Sequence, residues 1–243
     1  MPLSARKREV LHQMGIPVWV PRQTPPAPQR LDADGAGVPT VPREERAATV
    51  TIAEVPVAQM GWADLGERVT SCTACSELAR RRTQTVFGVG DPKANWLFIG
   101  EAPGSEEDRR GEPFVGRAGR LLDNMLAALG LRRGEDVYIA NILKCRPPGN
   151  RDPLPAEAAA CRSFLDRQID LIEPRVIVAL GRVAAQSLLG SDAPLGRLRE
   201  RQHDFRGVPL VVTYHPAYLL RSPADKARAW SDLLLARARA LGD

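Results

Sequence analysis

Four short apolar runs punctuate the chain, at Trp96–Ile99, Val137–Leu143, Val176–Leu180 and Pro209–Thr213. Each is too short for a helix and is continuous rather than alternating, the pattern of a strand buried on both faces. Between the runs the period changes. Arg117 to Leu129 sets Leu121, Leu122, Met125 and Leu129 on one helical face, and Gly130 supplies a C-terminal stop. Pro155 to Ile172 opens with proline in its first turn and ends before Pro174. Ser222-Pro223 predicts a last helix reaching about Ala240, with Ser222 as its N-cap. Strand–helix alternation of this kind predicts an α/β domain whose mainly parallel sheet is covered by helices on both faces.

The first 56 residues break the pattern. Nine of the 21 prolines fall there, and Pro21 to Pro56 holds neither period. That stretch reads as a flexible Pro/Ala/Arg linker, unable to bury enough apolar surface to fold alone. Ahead of it, Ala5 to Met14 predicts a short helix ended by Gly15. Ile16-Pro17-Val18-Trp19 follows, an apolar motif that either docks on the chain's own domain or meets a partner. The expected organisation is an N-terminal extension over 1–56 and a folded domain over 57–243.

Composition narrows the setting. No run approaches the roughly 18–20 apolar residues of a membrane span, and the N-terminus lacks a signal-peptide core. A soluble cytoplasmic protein, without a membrane partner, is the default. The net charge of +5, carried mostly by arginine, suits a polyanion such as DNA, where each neutralised phosphate releases counterions.

In an open parallel sheet ligands bind beyond the carboxyl ends of the strands, so the residues there are the ones to inspect. After the first strand comes Gly100-Glu101-Ala102-Pro103-Gly104. Asn141 lies near the end of the second, before Lys144-Cys145-Arg146-Pro147-Pro148-Gly149-Asn150-Arg151. The third ends in Gly181-Arg182 and the fourth in His215-Pro216-Ala217-Tyr218. Three of four strands deliver a polar, chemically useful residue to one rim. Asn is disfavoured inside a strand, and a buried amide needs partners. His12 and His203 have no such setting and read as structural or solvent-facing.

An Asn amide pairs a donor with an acceptor, as the edge of a nucleobase demands. Phe114, in the loop Gly111-Glu112-Pro113-Phe114-Val115-Gly116-Arg117, offers a face for stacking. A histidine donor would steady a departing pyrimidine anion. A carboxylate such as Glu101 would position or activate water, or favour oxocarbenium character in the sugar. Together these make a pocket for cutting a base from its sugar.

All four cysteines are Cys72, Cys75, Cys145 and Cys161, a CxxC pair and two later singles. In a cytosolic setting, where disulfides are rare, this is a metal candidate. Spacing alone leaves zinc and an iron–sulfur cluster open, since both take four thiolates.

GEAPG, GEPFVGRAG, NILKCRPPGNRDP and HPAYLLR, in that order over about 62–243, resemble the motifs of family 4 uracil-DNA glycosylases, the iron–sulfur branch of that superfamily. The resemblance implies a three-layer α/β/α sandwich around a central four-stranded parallel sheet. It also implies a [4Fe–4S] cluster on the four cysteines. Under it, Glu101 matches the first-motif acid, Phe114 the uracil-stacking aromatic, Asn141 the reader of the uracil edge, and His215 the histidine near uracil O2. Ala102 stands where the family takes Gly or Ala. Tyr218, Leu219 and Arg221 fall in the segment tied to minor-groove insertion and phosphate contact. Arg117, Lys144, Arg146 and Arg151 are further expected DNA contacts. A related branch traps uracil covalently through a histidine in an inserted basic loop, and no histidine lies between Phe114 and Pro153. The expectation is therefore a turning-over, monomeric repair enzyme at the nucleoid. Its rivals are a non-catalytic iron–sulfur DNA-binding or redox-sensing module and a nucleoside or nucleotide hydrolase. Leu11 to Trp19, with Arg22, is weakly similar to the start of the psi subunit of bacterial DNA polymerase III, which binds chi; this implies a replication-protein partner for the tail.

Overall fold

The computed structural model describes residues 55–242. The expected helix at Ala5–Met14, the Pro-rich linker and the Trp19 motif lie outside the described residues.

Six strands form one sheet in the order β1-β3-β2-β4-β6-β5. They are β1 (Val89–Gly90), β2 (Trp96–Gly100), β3 (Val137–Asn141), β4 (Val176–Leu180), β5 (His203–Phe205) and β6 (Val208–Thr213). The four central strands, β3-β2-β4-β6, run parallel and coincide with the four apolar runs. The two edge strands are antiparallel additions that the hydrophobic pattern does not predict. Two and three residues long, they are too short to display a period. His203, on β5, takes a structural role by bonding the Leu198 carbonyl through Nε2 at 2.7 Å.

Strand alternation sorts the core into two faces. Leu97, Ile99, Ile177, Ala179, Leu210 and Val212 pack with α5 (Pro155–Ile172), α6 (Arg182–Leu189) and α7 (Leu195–Leu198). Trp96, Phe98, Val137, Ile139, Val176, Val178 and Val211 face α4 (Arg117–Ala128) and α9 (Lys226–Leu241). The remaining helices are α1 (Trp62–Thr70), α2 (Ser76–Arg81), α3 (Ser105–Arg110) and α8 (Pro216–Arg221). The three layers expected from the motifs are present.

The last helix differs from its expected start. Pro223–Asp225 forms a separate 3-10 turn, Ser222 makes no side-chain cap, and α9 begins at Lys226. The Asp225 carboxylate is instead taken by the Tyr218 hydroxyl at 2.7 Å and by Arg228 at 3.2 Å, which fastens α8 to the head of α9.

One buried ion pair holds the far side of the sheet. Arg199 donates from Nε and Nη2 to the two carboxylate oxygens of Asp232 at 2.8 and 2.9 Å, with the side chains 4% and 1% exposed. Its Nη1 donates to the Tyr214 hydroxyl at 3.1 Å, so it also fixes the residue before His215. Removing one partner strands a buried charge. Asp232→Ala is expected to cost about 3–5 kcal/mol of stability, as measured by denaturant unfolding.

Candidate active site

Because the central strands are parallel, β2 and β3 end side by side, with Gly100 registered against Asn141. A Cβ at Gly100 would lie 2.5 Å from Asn141 Oδ1 and 2.7 Å from the Phe114 ring. Only glycine lets the amide and the ring meet over the strand end. Asn141 is 2% exposed, and its Oδ1 has no hydrogen-bond partner. A buried acceptor in that state is costly unless a ligand completes it.

Above it opens a cavity of about 490 Å³ whose lining includes Glu101, Ala102, Phe114, Asn141, Asp152 and His215. The structure thus gathers the four expected chemical residues and Ala102 at one place.

Phe114 is held in the left-handed region, φ 56°, a conformation that an aromatic residue adopts only when its surroundings enforce it. Arg133 clamps the loop by donating to the Pro113 and Phe114 carbonyls at 2.8 Å each, and is itself held by Asp123. From the other side the Glu107 carboxylate accepts from the Val115 and Gly116 amides at 3.0 and 3.3 Å. The Phe114 ring centroid lies 5.4 Å from that of His215, tilted by 32°.

His215 is the N-cap of α8, where its Nδ1 accepts from the Ala217 amide at 3.1 Å. That bond assigns the ring proton to Nε2 and leaves a single donor for the cavity. Burial pushes the His215 pKa down to about 4, helped by the Arg221 charge and opposed by Glu107. The ring is therefore neutral around pH 7. Glu101 moves the other way: burial, then the neighbouring Asp152 carboxylate, push its pKa up to about 7, against the opposing charge of Arg182. Asp152 accepts from Arg182 at 2.6 Å. Glu107, Arg133 and Asp152 are contributors that motif reading did not single out. Their roles arise from contacts across 8–51 residues of sequence, which no local spacing encodes.

The expected DNA contacts divide. Arg117, Tyr218 and Arg221 are exposed, while Arg146 is half-buried and donates to Asn150 Oδ1 at 2.7 Å. Arg151 is paired with both oxygens of Glu157 at 2.7 and 2.9 Å. Two expectations are corrected. Lys144 is 1% exposed and bonded inside the fold, out of reach of a duplex. Leu219 is also 1% exposed, because it is on the inward face of α8; its neighbour Leu220 is the exposed apolar residue.

Cys72, Cys75, Cys145 and Cys161 are free thiols packed in one cluster with Met60, Leu65, Val69, Leu143 and Phe164. Among the described residues no three of His, Cys, Asp or Glu form a group that would hold a single metal ion. Cys75 and Cys145 nonetheless act electrostatically on Cys161, and Cys72 on Cys75 and Cys145. Burial, together with Cys145 and Cys75, pushes Cys161 up to about 11, and the Cys75 and Cys145 pKa values are also raised. Two N–H groups point at sulfur: Arg82 Nη1 at 3.0 Å from Cys145 and the Lys144 amide at 3.4 Å from Cys161.

A family model described as the uracil DNA glycosylase superfamily matches residues 87–234. The chain belongs to that superfamily. A type-4 uracil-DNA glycosylase of Archaeoglobus fulgidus is 46% identical over 177 residues, spanning 70% of this chain and 88% of that protein. One from Thermotoga maritima is 48% identical over 166 residues, 68% of this chain and 85% of its own length. A type-5 uracil-DNA glycosylase of Thermus thermophilus is less similar, 34% identical over 188 residues, 61% of this chain and 84% of that protein. The family 4 resemblance of the motifs thus extends to most of the domain.

In this superfamily member the Phe114 loop also rests on Gly119, where a Cβ would lie 1.7 Å from the Phe114 carbonyl oxygen. Gly119→Ala must displace the loop or the helix. It is expected to cost about 1–3 kcal/mol in denaturant unfolding through overpacking.

Proposed function

We propose that the chain is a DNA repair enzyme that hydrolyses the N-glycosidic bond of uracil in DNA and leaves an abasic site. The observation that carries this reading is the buried, unpartnered Oδ1 of Asn141, placed beside Phe114 and His215 at the cavity floor. An acceptor there matches uracil N3–H, and the amide N–H₂ matches O4; cytosine offers the opposite pair and is rejected. A non-catalytic iron–sulfur module would have no use for such a pocket.

The target nucleotide leaves the stack and enters the cavity, where Phe114 stacks on the base and Asn141 reads its edge. As the bond between N1 and C1′ breaks, its electron pair goes to uracil. Nε2–H of neutral His215 donates to O2, where the negative charge develops. The Glu101 carboxylate orients water toward C1′ and takes its proton, while its charge favours the oxocarbenium-like sugar. Among the described residues lining the cavity there is no lysine, and the proposed mechanism, monofunctional hydrolysis, calls on no Schiff-base step.

The donor set at Cys72, Cys75, Cys145 and Cys161 fits a [4Fe–4S] cluster: four thiols gathered in one packed group, with two N–H donors aimed at sulfur. When bound, such a cluster ties the segment carrying Cys72 and Cys75 to the Lys144–Arg151 loop. DNA contact falls to Arg117, Arg146, Tyr218 and Arg221, with Arg151 supporting the loop. No helix among the described residues is long and apolar enough to cross a membrane. The reading includes a monomer acting at the nucleoid, with residues 1–56 meeting a replication protein.

A uracil-containing oligonucleotide, incubated with the protein and then cleaved by alkali at abasic sites, tests the activity. Asn141→Ala and His215→Ala are each expected to lower excision about 10²–10³-fold. Rates near wild type in either variant would remove its assigned role.

The pH profile follows from the two displaced acids. Glu101 must be ionised, so kcat/KM is expected to rise with pH up to about 7 and then level off. His215, at about 4, adds no further inflection above pH 5. Asp152→Asn removes a charge that raises the Glu101 pKa and is expected to shift the inflection downward, read from rates over pH 5–9.

A further inference from the structure

Lys144 is a buried cation that the proposed chemistry does not use. Its Nζ donates to the Asn141 carbonyl at 3.1 Å and to Gln168 Oε1 at 2.6 Å. Both acceptors are neutral. Gln168, itself fully buried on α5, donates from Nε2 to the Phe87 carbonyl at 3.0 Å. The Lys144 amide donates to Cys161 sulfur at 3.4 Å. The lysine side chain grips the last residue of β3, whose amide is the open acceptor of the cavity.

We infer that Lys144 is a positioning residue, fixing the Asn141 backbone so that the Asn141 side chain meets the base in register. The inference rests on Asn141 being the reader of uracil. It explains why a lysine two residues before the expected DNA contact Arg146 is turned wholly inward. It also gives the cysteine site a direct hydrogen-bonded route to base recognition, through Cys161, Lys144 and Asn141.

Two affinities separate this role from a merely structural one: that for free uracil, and that for a duplex carrying a tetrahydrofuran abasic analogue, which presents no base. Lys144→Met is expected to weaken uracil by about tenfold or more, the loss of a charge-assisted hydrogen bond, and to leave the abasic duplex unaffected. Combined with Asn141→Ala, it should add nothing to the uracil loss of Asn141→Ala alone. Wild-type uracil affinity in Lys144→Met, equal losses for both ligands, or additive losses in the double variant would overturn the inference. Should Lys144→Met fail to fold, Gln168→Leu removes the anchor of the ammonium. It is expected to reproduce the selective loss, and wild-type uracil binding in it would be equally fatal. Wild-type uracil affinity in Asn141→Ala would instead overturn the functional reading itself.

Discussion

The registration of Gly100 against Asn141 is the constraint on which the site depends. A parallel sheet brings its strand ends to one edge, but it does not by itself make a pocket there. The missing side chain at Gly100 leaves room for an amide and an aromatic ring to share the space beyond β2. The amide is thereby buried with one acceptor open. The rest of the apparatus follows from keeping that arrangement rigid: Arg133 and Glu107 around the Phe114 loop, the Arg199–Asp232 pair behind Tyr214, and Lys144 beneath the strand end.

The same low-dielectric cavity acts in opposite senses on its two titratable groups. Burial disfavours charge on both, so Glu101 holds its proton to a higher pH and His215 loses its proton at a lower one. The histidine is left neutral with an N–H to donate, and the carboxyl titrates near neutrality. Asp152 and Arg182 set the balance at Glu101, a division of labour in which neighbouring charges tune the acid.

Much of this was legible in the sequence. The four central strands, the span of α5 and the rim position of Glu101, Asn141 and His215 follow from apolar runs, helical period and the geometry of parallel sheets. Side-chain direction was less accessible. Lys144 and Leu219 sit among residues expected to face DNA, yet both turn inward: Lys144 to a glutamine 24 positions away, Leu219 to the core. The edge strands escaped because two or three residues carry no period, and Ser222 lost its capping role to a 3-10 turn. Asp152, Glu107 and Arg133 act through contacts that only the folded chain creates.

The clamp on Phe114 bears on how a base would be received. A residue at φ 56° held by two guanidinium bonds and backed by a carboxylate has little freedom left to lose. Ordering a mobile side chain on binding costs about 0.5–1.5 kcal/mol. Here that cost falls within folding, and the arriving nucleotide meets a surface already in place. On the proposed function, selectivity would then be enforced by rigidity: a base that does not fit would not move the ring aside, and would slip back into the helix unread.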